Sequence, residues 1–149
     1  MQLSSLVPGL SGEAGEQPVT GLAIDHRKIA PGNIFGAFRG AKFNGEDFIE
    51  AAVAAGAIAV VARPGAQVDG LVHIMDEEPR RLFARMAARY FTPTPANVAA
   101  VTGTNGKTST AELTRQLWRM DGYNSASIGT LGVTTADDQI KTGLTTPDI

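Results

Sequence analysis

The segment Gly103-Thr104-Asn105-Gly106-Lys107-Thr108 constrains this chain more than any other. Its two glycines let the backbone curl until several N–H groups converge on one point. The lysine that follows can reach into the enclosed space, and a hydroxyl residue follows the lysine. The apolar run Val98-Ala99-Ala100-Val101 leads into the segment as an expected strand, and Lys107 to about Met120 reads as a helix. A loop in that position has a helix dipole behind its amide groups, which suits a phosphate. The strict pattern G-x-x-x-x-G-K-[ST] has Val101 at its first glycine, so Gly103 takes up that work two residues later. The competing reading is a Gly-rich turn with a surface lysine, but average residue usage produces Gly-x-x-Gly-Lys-Thr by chance in under about one chain in a hundred. The segment predicts binding of a nucleoside triphosphate, with Lys107 on the β/γ-phosphates and the Thr108 hydroxyl as a magnesium ligand.

Ahead of this loop the chain alternates short apolar runs with helical patterns, the signature of an α/β layer architecture. Gly9 to Pro18 reads as a loop, Thr20 to Ile24 as a strand, Pro31-Gly32-Asn33 as a turn and Ile34 to Phe38 as a second strand. After another loop at Gly40 to Gly45, Asp47 is placed to cap a helix over Phe48 to Ala55, with Phe48, Ala51, Ala52 and Ala55 sharing a face. Ala57 to Ala62 has the unbroken apolar character of a strand buried on both sides, and Leu71 to Met75 is one more strand. Pro79 opens a strongly amphipathic helix with Leu82, Met86 and Tyr90 on one side and Arg80, Arg81, Arg85 and Arg89 on the other, a solvated face. Thr92-Pro93-Thr94-Pro95 breaks it and marks a boundary between a domain over residues 1–92 and a second that starts at 96 and runs to 149. In that second part Leu113, Leu117 and Met120 form the expected packing face of the helix, and Ser125 to Ile128 is expected to be the strand that completes a strand–loop–helix–strand unit.

The net charge of −2 over 149 residues gives no basic stripe of the sort nucleic acid needs, so no nucleic-acid partner is expected. There is no cysteine, which excludes disulfides and thiolate metal sites and fits a reducing cytoplasm. Neither a signal peptide nor a membrane-length apolar run is visible, so a soluble, cytoplasmic protein without a membrane partner is expected.

Thr102 to Ser109 (TGTNGKTS) resembles the ATP loop of the Mur ligases. Ile128-Gly129-Thr130-Leu131-Gly132, Leu144-Thr145-Thr146-Pro147-Asp148 and the upstream Asp25-x-Arg27 followed by Pro31-Gly32 are similar to the branch of that family that adds the third amino acid of the peptidoglycan stem peptide. The resemblance runs from about Leu3 to the last residue. It implies a small N-terminal α/β domain with a mixed sheet that holds the uridine end of the substrate, then the beginning of a central P-loop domain. It further implies an ATP- and Mg2+-dependent ligase, a monomer, that joins a diamino acid to UDP-MurNAc-L-Ala-D-Glu through an acyl phosphate, with meso-diaminopimelate or lysine as the amine. On this resemblance Gly103, Thr104, Asn105, Gly106, Lys107, Thr108 and Ser109 bind ATP, with Lys107 catalytic, and Thr145 and Thr146 contact the muramoyl peptide. Ile24 and His26, with Ala41, Lys42 and Phe43, face the uridine diphosphate.

The chain departs from the family's pattern at His26, where serine is usual, and at Asn44-Gly45-Glu46-Asp47, where Asp-Gly-His-Asp is common. The family's carbamylated lysine, its further magnesium ligands and its C-terminal domain have no counterpart here, so the sequence is expected to be the N-terminal part of a longer enzyme and inactive alone. Other Mur ligases or a folylpolyglutamate synthase share the loop. A P-loop NTPase or kinase of another class, or a binding module formed by residues 1 to about 92, are the readings from other classes.

Overall fold

The structure, a computed structural model, describes residues 1–40 and 43–141. These fall into two compact units, Met1–Thr94 and a second that starts at Pro95. The first is built on four strands, β1 (Gly21–Ala23), β2 (Asn33–Gly36), β3 (Ala59–Ala62) and β4 (Val72–Met75), in the spatial order β1-β2-β3-β4. Every pairing between them is parallel, with Leu22 opposite Ile34, Phe35 opposite Val60 and Val61 opposite Ile74. The expected α/β class holds. Antiparallel pairing in this unit, among the described residues, is confined to the isolated bridges Gln2–Pro18 and Arg39–Asn44.

The side-chain alternation of a strand explains why both β2 and β3 are apolar without a break. Ile34, Phe38, Ala59 and Val61 point to one face, where they meet Phe83 and Met86 of α4 (Pro79–Tyr90) and Leu3 and Leu6 of α1 (Leu3–Leu6). Phe35, Ala37, Val60 and Ala62 point to the other, against Ile49 and Ala52 of α3 (Ile49–Ala54). Phe35, Phe83, Ile34 and Met86 are fully buried, and each such side chain contributes about 1.5–3 kcal/mol relative to exposure. The Phe38 and Phe83 rings meet edge to face at 5.5 Å. The four arginines of α4 are exposed, as the pattern predicts. Arg89 still donates to the Leu6 carbonyl at 2.9 Å and so ties α4 to α1.

Three expectations for this unit are corrected. The Gly9–Pro18 loop contains a helical turn, α2 (Glu13–Glu16), which like α1 is only four residues long and carries no periodic signal to detect. Asp47 caps nothing: a 3-10 turn at Gly45–Phe48 precedes α3, the Asn44 side chain accepts from the Glu46 N–H, and Asp47 accepts from the Asn44 amide instead. The buried face of α3 is Ile49 and Ala52, while Ala51 is exposed, because the 3-10 turn shifts the helical phase.

In the second unit α5 (Lys107–Met120) is followed by an antiparallel meander, β5 (Ser127–Gly129), β6 (Gly132–Thr134) and β7 (Gln139–Ile140). The strand expected at Val98–Val101 is not formed. Among the described residues these pair with no strand, and Val98 is 82% exposed; an apolar run becomes a strand only when a neighbour supplies the ladder. The strand expected at Ser125–Ile128 exists as β5, but it turns back in a hairpin, so no parallel strand–loop–helix–strand unit is present among the described residues. The predicted packing face of α5 is reversed as well: Leu113, Leu117 and Met120 are exposed, and the opposite, polar face lies on the hairpin.

Candidate nucleotide-phosphate site

The loop before α5 takes its shape from its glycines. Gly106 is the N-cap of α5 with φ of 75° and Gly103 has φ of 141°, both in the region that L side chains avoid. A Cβ at Gly106 would touch nothing within 4 Å, so the requirement there is conformational rather than steric. The first helical hydrogen bond runs from Thr110 N–H to the Gly106 carbonyl, and no side chain caps this end. The amides of Lys107, Thr108 and Ser109 therefore have no partner within the helix. No acidic residue stands in the first turn to compete for them. The Lys107 ammonium folds back over the loop, donating to the carbonyls of Gly103 at 2.5 Å and Thr104 at 3.2 Å. Amides without a helical partner, a helix dipole and the Lys107 ammonium can together donate to phosphate oxygens.

The Thr108 hydroxyl lies 2.7 Å from that of Thr130, in the β5–β6 turn. Thr108 begins a polar stripe along α5, continued at Glu112, Arg115 and Arg119, four, seven and eleven residues on and so on one face. Glu112 accepts from the Ser127 hydroxyl at 3.1 Å and from the Arg115 guanidinium at 2.5 Å. Arg115 and Arg119 donate to the carbonyls of Thr135 and Ala136. Arg115 is almost fully buried. Its guanidinium, helped by Gln116 and Ser127, draws the Glu112 carboxyl down to about 2, and Glu112 in turn raises the Arg115 pKa. This network fixes the hairpin, and with it Thr130, against the helix that carries the loop.

In the N-terminal unit the carboxyl ends of the parallel strands are where open α/β sheets bind ligands. Ile24 and His26 directly follow β1, and Phe43, 73% exposed, lies in the segment after β2. The His26 ring stacks on Phe48 with centroids 4.4 Å apart and planes 5° from parallel. Beside it Asp25 accepts from the Arg27 amide at 3.0 Å and from both arms of its guanidinium, at 2.9 and 2.8 Å. That side-chain pairing lowers the Asp25 pKa to about 2. The segments after β2, β3 and β4, with the start of α4, line an open crevice of about 410 Å³ that includes Phe38, Arg39, Glu46, Arg63 and Arg81. In it Glu46 accepts a fork of hydrogen bonds from Arg63 at 2.7 and 3.1 Å.

Ala41, Lys42, Thr145 and Thr146 lie outside the described residues. Gly103 to Ser109 are contiguous and form the turn into α5. No local spacing marks Thr130, since its link to Thr108 spans 22 positions. The crevice was equally illegible: Glu46 and Arg63 are 17 residues apart and belong to different elements.

A parallel α/β unit followed along the chain by a glycine loop at a helix N-terminus defines an α/β protein with a candidate phosphate loop. Residues 101–149 match the Mur ligase middle domain, and residues 18–63 match the Mur ligase family catalytic domain. The chain belongs to the Mur ligase family. It is 60% identical over 141 residues to a UDP-N-acetylmuramoyl-L-alanyl-D-glutamate–2,6-diaminopimelate ligase of Zymomonas mobilis subsp. mobilis, covering 95% of this chain and 29% of that protein. A protein of the same description from Bradyrhizobium diazoefficiens is 48% identical, over 87% of this chain and 27% of its own length. Among solved structures, one of a 2,6-diaminopimelate ligase of that description superposes with a TM-score of 0.75 at 28% identity, over 99% of this chain and 31% of that one. A MurF ligase from Thermotoga maritima in complex with ADP gives 0.59 at 26% identity, over 72% of this chain and 24% of that one. The chain thus spans less than a third of the length of these relatives.

Proposed function

We propose that the protein works as an ATP-dependent amide ligase of peptidoglycan precursor synthesis, joining 2,6-diaminopimelate to UDP-MurNAc-L-Ala-D-Glu. The observation that carries this reading is the uncapped start of α5, with Lys107 poised over the loop, in a chain 60% identical to a protein named for that reaction. A structural relative with ADP bound supports a nucleotide at the loop. In this reading Gly103, Thr104, Asn105, Gly106 and Ser109 hold the phosphates through their amides. Lys107 leaves the Gly103 and Thr104 carbonyls to pair with the β/γ-phosphates. Neutralising the γ-phosphoryl group favours attack on its phosphorus by the substrate carboxylate with departure of ADP, and the amine then displaces phosphate from the acyl phosphate and loses a proton. Among the described residues no cluster of three or more acidic or histidine side chains is placed to hold a metal. Magnesium would draw on the Thr108 hydroxyl, nucleotide oxygens and water, and it would supply charge neutralisation.

Residues 1–92 serve as the uridine-binding domain in this reading, with Ile24, His26, Ala41, Lys42 and Phe43 on the nucleotide, and residues 96–149 begin the ATP domain, where Thr145 and Thr146 contact the muramoyl peptide. The protein acts as a cytoplasmic monomer. Among the described residues no helix is long and apolar enough to cross a membrane. The test is phosphate release by the full-length protein with ATP, magnesium and UDP-MurNAc-L-Ala-D-Glu. Turnover that requires diaminopimelate and is not restored by lysine is the expected result, and turnover with lysine alone would overturn the substrate assignment.

A further inference from the structure

The contact between Thr108 and Thr130 has a chemical consequence at the nucleotide site. A threonine hydroxyl has one proton and two lone pairs. When its oxygen coordinates a divalent cation, the cation drains charge from it, the O–H becomes a stronger donor, and that proton needs an acceptor pointing away from the metal. Thr130 Oγ1 lies 2.7 Å from Thr108 Oγ1, and of these two hydroxyls, either of which can donate, it is the one free to accept once Thr108 binds a cation. It is also held in place. The hairpin that carries Thr130 is tied to α5 by Ser127 on Glu112 and by the Arg115 and Arg119 guanidiniums on the carbonyls of Thr135 and Ala136. The acceptor therefore sits in the turn of a braced hairpin.

We propose that Thr130 is a positioning residue for the metal–nucleotide complex: its hydroxyl takes the Thr108 proton and turns the Thr108 lone pairs toward the cation. The proposal rests on the nucleotide site proposed above and deepens it. It separates two properties of the loop, since phosphate binding by Lys107 and the amides does not involve Thr130 whereas the magnesium dependence of that binding does.

The test measures affinity for a non-hydrolysable ATP analogue as a function of Mg2+ in the full-length protein, for wild type, T130V, T130S and K107A. Valine keeps the shape and removes the acceptor; serine keeps the acceptor. T130V should raise the Mg2+ concentration for half-maximal tightening by about three- to tenfold, the worth of one net hydrogen bond. Its affinity without Mg2+ should equal that of wild type, and T130S should restore the Mg2+ response. An unchanged Mg2+ response in T130V, with K107A weakened, would overturn the role of Thr130 and leave the nucleotide site standing. A T130V variant weakened equally with and without Mg2+ would also overturn it, as that pattern marks a merely structural residue. Unchanged affinity in K107A would remove the nucleotide site itself.

Discussion

Lys107 is half-buried, but the partners of its ammonium are two loop carbonyls outside any core, which a nucleotide phosphate would outbid. Lys107→Ala should therefore lower ATP affinity by at least about tenfold, as loss of a charge-assisted hydrogen bond costs about 1.5–3 kcal/mol. Stability should change by no more than about 0.5 kcal/mol, as at ordinary surface positions. Calorimetric titration beside a thermal melt checks both halves, and a large loss of stability with intact affinity would reverse the assignment. His26 offers a second test at this scale. Its ring already lies flat on Phe48, so a uracil added to the outer face would extend a stack. His26→Ser should weaken UDP-sugar binding several-fold, by the roughly 0.5–1.5 kcal/mol of one aromatic pair; unchanged affinity would move the uridine site elsewhere.

At the scale of elements, the α5–hairpin contact is electrostatic, and this makes it sensitive to acid. The Glu112 carboxyl is held at about 2 in the fold, below its ordinary 4.5. A depressed carboxyl stabilises the folded state above its unfolded pKa and loses that contribution as pH falls through its folded value. The hairpin should hold at pH 6 and loosen progressively between about pH 4.5 and 2. Hydrogen exchange at the amides of β5 and β6 follows this, and Glu112→Gln should flatten the dependence; protection that is independent of pH in wild type would contradict it. Asp25, also held at about 2, acts in the same direction in the N-terminal unit.

This region also marks where sequence reading stops. Amphipathic spacing identified α5 and its two faces, yet it cannot say which face has a neighbour, and the polar one does. Val98–Val101 fails as a strand for a related reason, because a ladder is a property of two segments. β2 and β3 were legible because burial on both faces leaves an apolar run that only a central strand produces. The α4 stripe was legible because one face had to cover the sheet. The phosphate loop was legible because its glycines, lysine and hydroxyl are contiguous. Its Thr130 partner was not, being fixed by tertiary packing alone.

At the scale of the whole molecule, both apolar cores lie within Met1–Thr94. A polypeptide of those residues should unfold cooperatively, and Phe83→Ala should cost it about 3–5 kcal/mol, the range for emptying a buried aromatic site. Denaturant unfolding measures this directly, and a non-cooperative transition in the unmodified polypeptide would show that the cores do not suffice. The proposed function turns on the backbone amides at the start of α5, which should receive the phosphates of ATP. The most direct measurement is an NMR titration of the 15N-labelled protein with ATP and magnesium. The amide resonances of Gly106, Lys107, Thr108 and Ser109 should shift saturably and in step, and Lys107→Ala should abolish the effect at the same concentrations. Resonances that stay fixed at those four amides while others shift would contradict the account.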